Sequence, residues 1–269
     1  MVPTKQIPLH QTSTHTMRTQ LHHTTILIAL PLMAGLLGCA KEETDPPANP
    51  PTPVAPAATT LRLEHHIDAT PLLYDTVLYT TEAGHAYSVS RLEYYISGIR
   101  LMTEDCCDED PVVPGPFYIN ALNNTAFDLG ALPPGNYTGA ELLLGLAPDM
   151  NITGALPNTL ENVNMAWPTP MGGGYHFMKF EGHFLNAGTP TGYAMHLGRN
   201  ENLPTCLAVG AFQLDNTART LVLRFNLNEV FRAPHTYDLS TGSYSMGSMM
   251  LMSLLRDNCI DAFTIALQP

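Results

Sequence analysis

A period of two in the apolar residues, repeated in short segments between turn signals, limits this chain to folds built from strands. In Thr220 to Asn228, Leu221, Leu223, Phe225 and Leu227 fall on one side of an extended chain and Arg224, Asn226 and Asn228 on the other. That is the pattern of a half-buried strand. Ser90 to Leu101 carries Tyr94, Tyr95, Ile96 and Ile99, and Glu141 to Leu146, Tyr175 to Phe184 and Gly192 to Leu197 behave similarly. Leu132-Pro133-Pro134-Gly135-Asn136 and Asn186-Ala187-Gly188-Thr189-Pro190 supply turns between them. Many short strands with such turns predict an all-β, sandwich-like domain. One short C-terminal helix is expected around Ser248 to Arg256, where Met249, Leu251, Met252 and Leu255 share a face, and a helical turn at Asn228 to Phe231.

Ahead of this domain the chain changes character. Arg18 precedes the polar stretch Thr19 to Thr25, an apolar run from Ile26 to Leu37, and then Leu36-Leu37-Gly38-Cys39. A basic region, a short apolar region and small residues before a cut make a secretory signal. The run is shorter than the roughly 20 residues of a membrane-spanning helix. A Cys in this place reads as a bacterial lipobox, with Cys39 as the lipidated first residue of the mature chain. Residues 1–38 are therefore expected to be the signal, with Met17 as an alternative start. Ala40 after the Cys favours the outer membrane, where the lipid anchor would leave the folded part facing the periplasm or the cell surface. Residues 39–60, rich in Pro, Ala and Thr, are expected to form a disordered linker. Residues 61–269 are long enough for one β domain with a sizeable core.

Charged residues make up only 13% of the chain and the net charge is −12. Nucleic acid wants a basic face, so that partner is excluded. Cys106, Cys107, Cys206 and Cys259 are disulfide candidates in an oxidising compartment, with connectivity open. If Cys206 pairs with Cys259, Cys106 and Cys107 form a vicinal pair or stay free.

The residues able to carry chemistry concentrate in Met165-Ala166-Trp167-Pro168-Thr169-Pro170-Met171-Gly172-Gly173-Gly174-Tyr175-His176-Phe177-Met178-Lys179-Phe180-Glu181. The three glycines allow positive φ or close backbone approach. No Lys-Ser/Thr follows them, which excludes a phosphate loop. Alternation puts His176, Met178 and Phe180 on one face and Phe177, Lys179 and Glu181 on the other. A second histidine, His196, sits on the next strand, and the short connection lets the two meet across the pair. Imidazole and thioether outside the cytoplasm suit copper better than zinc, calcium or magnesium. His235 is a third ligand candidate. A histidine on a strand is equally able to serve the core, and a Met run of 246, 249, 250 and 252 reads first as helix packing. Trp167, the sole Trp, reads either as a core aromatic or as a ring presented beside the metal-binding strand by the stiff Pro168 and Pro170. No local signature of a nucleophilic triad is present.

These segments together resemble the MbnP-like periplasmic copper-binding proteins, relatives of the MopE/CorA surface copper proteins. The resemblance runs from Leu63-Glu64-His65 through Gly84 to Ile99 and Pro134-Gly135-Asn136-Tyr137, and is strongest over Met165 to Gly182. It closes with His196-Leu197-Gly198, Asn228-Glu229-Val230-Phe231 and Asn258-Cys259-Ile260-Asp261-Ala262-Phe263. It implies a β-rich copper protein that is not an enzyme, with Trp167 at a position where relatives carry a Trp that becomes kynurenine and helps hold the metal. A MauG-like di-haem cytochrome c peroxidase is the implied partner. Thr169 stands where some branches of the family have a second Trp or a His. Against this reading stands a metal-free surface β-sandwich lipoprotein with a structural or adhesive role.

Overall fold

The computed structural model describes residues 57–268 apart from Cys106. The expected signal, Cys39 and Cys106 lie outside the described residues. The strands are β1 (Ala57–Ile67), β2 (Thr70–Pro71), β3 (Tyr79–Thr80), β4 (Ala86–Thr103), β5 (Val112–Val113), β6 (Phe117–Asn120) and β7 (Ala126–Leu132). They continue with β8 (Gly135–Leu144), β9 (His176–Asn186), β10 (Thr189–Gly198), β11 (Thr205–Leu214), β12 (Arg219–Asn226) and β13 (Phe263–Leu267). Two helices, α1 (Leu160–Asn164) and α2 (Met249–Asn258), complete the regular structure with three 3₁₀ turns. The domain is thus all-β with a short C-terminal helix, as the alternation predicts. The expected turn near Asn228 is a 3₁₀ turn, Leu227–Phe231. β1 begins at Ala57 and pairs with β7 and β12 from its first residues, so the last residues of the expected linker are strand. The alternation singled out β4, β8, β9, β10 and β12; α1 and the remaining strands escaped it, β11 and β13 among them. The latter two are short or interrupted by a register shift, which blurs their period.

The strands hydrogen-bond in the order β10-β9-β4-β8-β11-β13-β12-β1-β2, with β1 parallel to β12 and β11 parallel to β13. The sheet curls back on itself. β8, β11 and β13 stand between β4 and β12 in that order, yet the rings of Tyr94 on β4 and Phe225 on β12 are 5.6 Å apart. His65 Nε2 on β1 also meets the Tyr94 hydroxyl at 2.7 Å. Phe231, fully buried just after β12, packs on Tyr87 of β4 (5.6 Å), Phe180 of β9 (5.4 Å) and Tyr193 of β10 (6.0 Å). Edge-to-face and offset contacts of this kind add to the large apolar area that each ring buries. They lock the β9–β10 end of the sheet against the β12 end.

β9 and β10 form a hairpin whose two connecting residues, Ala187 (φ 47°) and Gly188 (φ 82°), both take positive φ. That is the primed turn whose twist matches the flanking strands. β10 ends the sheet, and the segment 243–245 covers its open edge. Ala194 N–H donates to the Ser243 carbonyl (2.8 Å), and Ser245 both accepts from His196 N–H and donates to the His196 carbonyl (each 2.7 Å). Covering an edge in this way removes a template for aberrant pairing.

The disulfide expectation is corrected here. Cys107, Cys206 and Cys259 are free thiols, and no disulfide occurs among the described residues. Cys206 lies on β11 and Cys259 caps α2, both fully buried, where each packs as a small hydrophobe. Burial pushes both thiols up, so neither forms thiolate at neutral pH in the folded state. A maleimide added without reductant should label exposed Cys107 at once, and Cys206 and Cys259 only after unfolding. Failure of those two to react after unfolding, with recovery on reduction, would show that they close into a disulfide in the isolated protein.

Candidate metal centre

The Gly-rich stretch folds as a loop that returns the chain onto itself before β9. Met165 to Trp167 pairs antiparallel with Gly174 to His176: Trp167 N–H donates to the Gly174 carbonyl (2.9 Å) and His176 N–H to the Met165 carbonyl (2.7 Å). Gly172, Gly173 and Gly174 all take positive φ, of 112°, 71° and 84°. The last two also leave no room for a side chain. A Cβ at 173 would lie 2.5 Å from Thr153 Oγ1, and one at 174 would lie 2.5 Å from Asn151 Oδ1. Those same atoms accept from Gly174 N–H (2.7 Å) and Tyr175 N–H (2.8 Å), clamping the loop. Pro168 is extended (φ −57°, ψ 128°), as expected, but Pro170 sits inside a 3₁₀ turn, Thr169–Met171, where its fixed φ is equally at home. That turn brings the Met171 carbonyl to the Trp167 indole N–H at 3.1 Å.

Strict alternation would keep His176 and His196 on opposite faces of the hairpin, because His196 stands opposite Lys179. A register shift removes the conflict. Leu197 faces Met178, but the next residue, Gly198, faces His176, so Phe177 is the extra residue on β9. Such a bulge re-aims the side chains beyond it. The His176 and His196 rings then meet edge to face, centroids 5.0 Å apart. The Trp167 indole lies against His176 at 4.6 Å. Opposite His176, residue 198 must be glycine, since a Cβ there would sit 2.5 Å from Trp167 Cε3. Trp167 is 1% exposed, so it is both a core aromatic and a neighbour of the histidine.

The hydrogen bonds fix the tautomer of each ring. A carbonyl oxygen can only accept, so the 3.0 Å contact of His176 Nδ1 with the Met165 carbonyl places the proton on Nδ1. The carboxylate of Glu181, 2.8 Å from His196 Nε2, likewise places the His196 proton on Nε2. The remaining lone pairs, on His176 Nε2 and His196 Nδ1, are buried and have no hydrogen-bond partner. Buried ring nitrogens are seldom left so, and each such atom calls for an explanation. An imidazole whose far N–H is held by a carbonyl or carboxylate is also the arrangement seen around metal ligands. Imidazole nitrogens suit zinc, copper, iron and nickel, so the donor pair fits a d-block ion. Among the described residues there is no group of three or more His, Cys, Asp or Glu able to hold one ion.

Glu181 was missed in the sequence because its role depends on register: it faces Ala194, diagonal to His196. Arg91 links it to Glu93 (3.3 and 2.6 Å), and His196 holds its carboxyl below the usual carboxylate range. Lys179 spends its ammonium on the Asn164 carbonyl at 2.5 Å, and burial lowers its pKa. The structure does not gather His235 with the pair; its Nε2 meets Asp257 at 3.3 Å and its backbone N–H meets Asn258. His85 pairs with Asp238 at 2.8 Å. His65 serves the core through Tyr94.

Burial pushes the His176 pKa down to about 3, assisted by the Lys179 charge, and that of His65 down to about 4. An unfolded histidine takes up its proton near pH 6.5, before either folded one, so stability must fall as the pH drops below about 6.5. The loss continues to about pH 3 for His176. Each such histidine contributes about 1.4 kcal/mol per pH unit in that window. Denaturant unfolding of metal-free protein between pH 6.5 and 4.5 should therefore show a shallower pH slope for His176→Gln than for wild type. Equal slopes would mean that His176 protonates as readily folded as unfolded.

The model of the MbnP family matches residues 56–250. The fold is similar to that of MbnP from Methylosinus trichosporium, with a TM-score of 0.51 at 14% identity over 79% of this chain and 99% of that one. Among curated proteins none matches. The matched span holds β1 through β12 and the whole Trp167–His176–His196 cluster, more than half of the chain, and on that match this chain belongs to the MbnP family.

Proposed function

We propose that this chain is an exported copper-binding protein, anchored to the outer membrane through Cys39, with His176 Nε2 and His196 Nδ1 as its metal-ligating atoms. The observation that carries the reading is the pair of buried, unpartnered imidazole lone pairs 5.0 Å apart by ring centroid, each ring held from behind by an acceptor. Two neutral nitrogens in a buried site favour copper among the extracytoplasmic metals. A second acceptor-held ring fixes the tautomer before the metal arrives, which reduces the ordering required on binding. Copper-site involvement of His235 is not part of this reading, since Asp257 and Asn258 hold that residue.

Trp167 extends the proposal. A MauG-like di-haem peroxidase would withdraw electrons from the indole, making this chain the substrate and not the catalyst. Conversion of Trp to kynurenine breaks the indole C2–C3 bond, releases C2 as formic acid and leaves an aryl amine and a ketone. With two equivalents of hydrogen peroxide as oxidant the atoms balance, with one water released. The new amine and ketone would lie beside His176, where the indole ring now packs at 4.6 Å, and supply the donors that carboxylates and thiols do not.

Two measurements test this. Copper should bind to the folded wild-type domain and be lost in a His176→Ala, His196→Ala variant of unchanged circular dichroism. Full affinity in that variant would place the metal elsewhere, and no binding to the wild type would favour the metal-free surface reading. Separately, peptide mass analysis of protein made beside its haem partner should find Trp167 with one carbon lost and one oxygen gained. An unmodified Trp167 under those conditions would remove the oxidation step and leave a site with the two imidazoles alone.

A further inference from the structure

Two methionine sulfurs meet one buried amide beside the Trp167 indole. A cavity of about 290 Å³ is lined by Trp167, Met249 and Met252, with Arg199 on the same wall. Met249 and Met252 are three residues apart on α2 and so share a face of the helix. Asn202 is 1% exposed, and its side-chain nitrogen carries two N–H donors. Asn202 Nδ2 donates to the Gly198 carbonyl at 3.1 Å and also lies 3.7 Å from Met249 Sδ and 3.8 Å from Met252 Sδ. One N–H therefore has a carbonyl, while the other is shared between two thioethers, which accept only weakly. The amide is satisfied, and a better acceptor on either sulfur would satisfy it more strongly.

The two sulfur-bearing side chains differ in access. Met252 is 1% exposed, whereas Met249 is 40% exposed and lines the cavity. Met250, the next residue, is 68% exposed and lies outside the cavity lining. A thioether open to solvent is oxidised to the sulfoxide, a step that methionine sulfoxide reductases reverse. With hydrogen peroxide as oxidant, the sulfur gives up two electrons and takes one oxygen. The peroxide O–O bond breaks, and the other oxygen leaves as water. Sulfoxide formation makes an apolar side chain polar, which disrupts packing where no donor meets the new oxygen. At Met249 a donor is already in place, because the S–O oxygen would form on a sulfur that Asn202 N–H already faces.

We propose that Met249 is a site of reversible oxidation by hydrogen peroxide, with the Asn202 amide receiving the sulfoxide oxygen beside the Trp167 indole. The proposal rests on the Trp oxidation reading only for the source of peroxide at this surface; the reactivity of Met249 stands on its own geometry. Asn202 also links the modification to the candidate metal centre. Its other N–H holds the carbonyl of Gly198, the residue that faces His176 and against which the indole packs.

The test treats metal-free protein with hydrogen peroxide in the absence of any haem protein. Peptide mass analysis should find one oxygen added at Met249 and at the more exposed Met250, and none at Met252. The side-chain amide proton of Asn202, followed by ¹⁵N–¹H correlation, should move downfield in step with oxidation of Met249. Trp167 is the sole Trp, so intrinsic tryptophan fluorescence reports this cavity alone. Its emission should shift in wild type and in Met250→Leu, and stay constant in Met249→Leu. Methionine sulfoxide reductases should return the amide resonance and the emission to their starting values. The mass and amide readouts need no variant, so they decide the matter even where Met249→Leu fails to fold. A Met249 that stays a thioether while Met250 is fully converted would overturn the proposal. So would an oxidised Met249 that leaves the Asn202 amide and the Trp167 emission unchanged. Neither copper nor a peroxidase enters this experiment, so the copper and Trp oxidation readings can fail without altering its outcome.

Discussion

One extra residue in one strand sets the geometry of the candidate site. Phe177 interrupts the pairing of β9 with β10, and the interruption turns His176 onto the side of the hairpin already held by His196. Without it the two rings would stand on opposite faces, one in the core and one beside Lys179 and Glu181. The bulge is stable because both of its flanks are fixed. Phe177 is fully buried, and Gly145 lets its ring pack against backbone, since a Cβ there would lie 2.6 Å from Phe177 Cγ. On the other side, Gly198 leaves space that the Trp167 indole fills.

The same constraint explains why so much of the loop before β9 is glycine and proline. The chain must place an indole, an N–H acceptor for His176 and the first residues of β9 within a few residues of one another. Gly173 and Gly174 let backbone approach Asn151 and Thr153 more closely than any side chain permits, and the turn at Thr169–Met171 returns a carbonyl to the indole N–H. Met165 performs two tasks through one oxygen, which accepts from both the backbone N–H and the Nδ1–H of His176. A ring held at two points by one carbonyl has little freedom, so its free nitrogen is aimed before any ligand arrives.

Closure of the sheet gives this local machinery a rigid support. Phe231 reaches from the turn after β12 to Tyr87, Phe180 and Tyr193, so the hairpin that carries both histidines is packed from beneath by the far end of the sheet. From its outer edge it is tied by Ser245, which satisfies both the N–H and the carbonyl of His196. Sites on strands that are fixed from both sides hold donor geometry better than sites on loops. The segment that carries Ser245 leads directly into α2 and its thioethers, so the imidazole pair and the sulfur-lined cavity share one support.

The period of two in Thr220 to Asn228, and the turn residues after Asn186, determined that this chain would be strands and where several of them run, because alternation and positive φ are local properties. The same locality made His176, His196 and Trp167 recognisable as neighbours in sequence order. It could not reveal the face on which each histidine emerges, since one added residue reverses every side chain beyond it. Nor could it find Glu181, whose importance comes from lying diagonal to His196 across the pair, or Asn202, which matters only because α2 folds back over it. The isolation of His235 from the pair and the free state of Cys206 and Cys259 were likewise settled by packing. Pattern in the sequence specified elements and candidate donors; register, bulge and burial, which depend on contacts between distant segments, decided which donors meet and which lone pairs remain free.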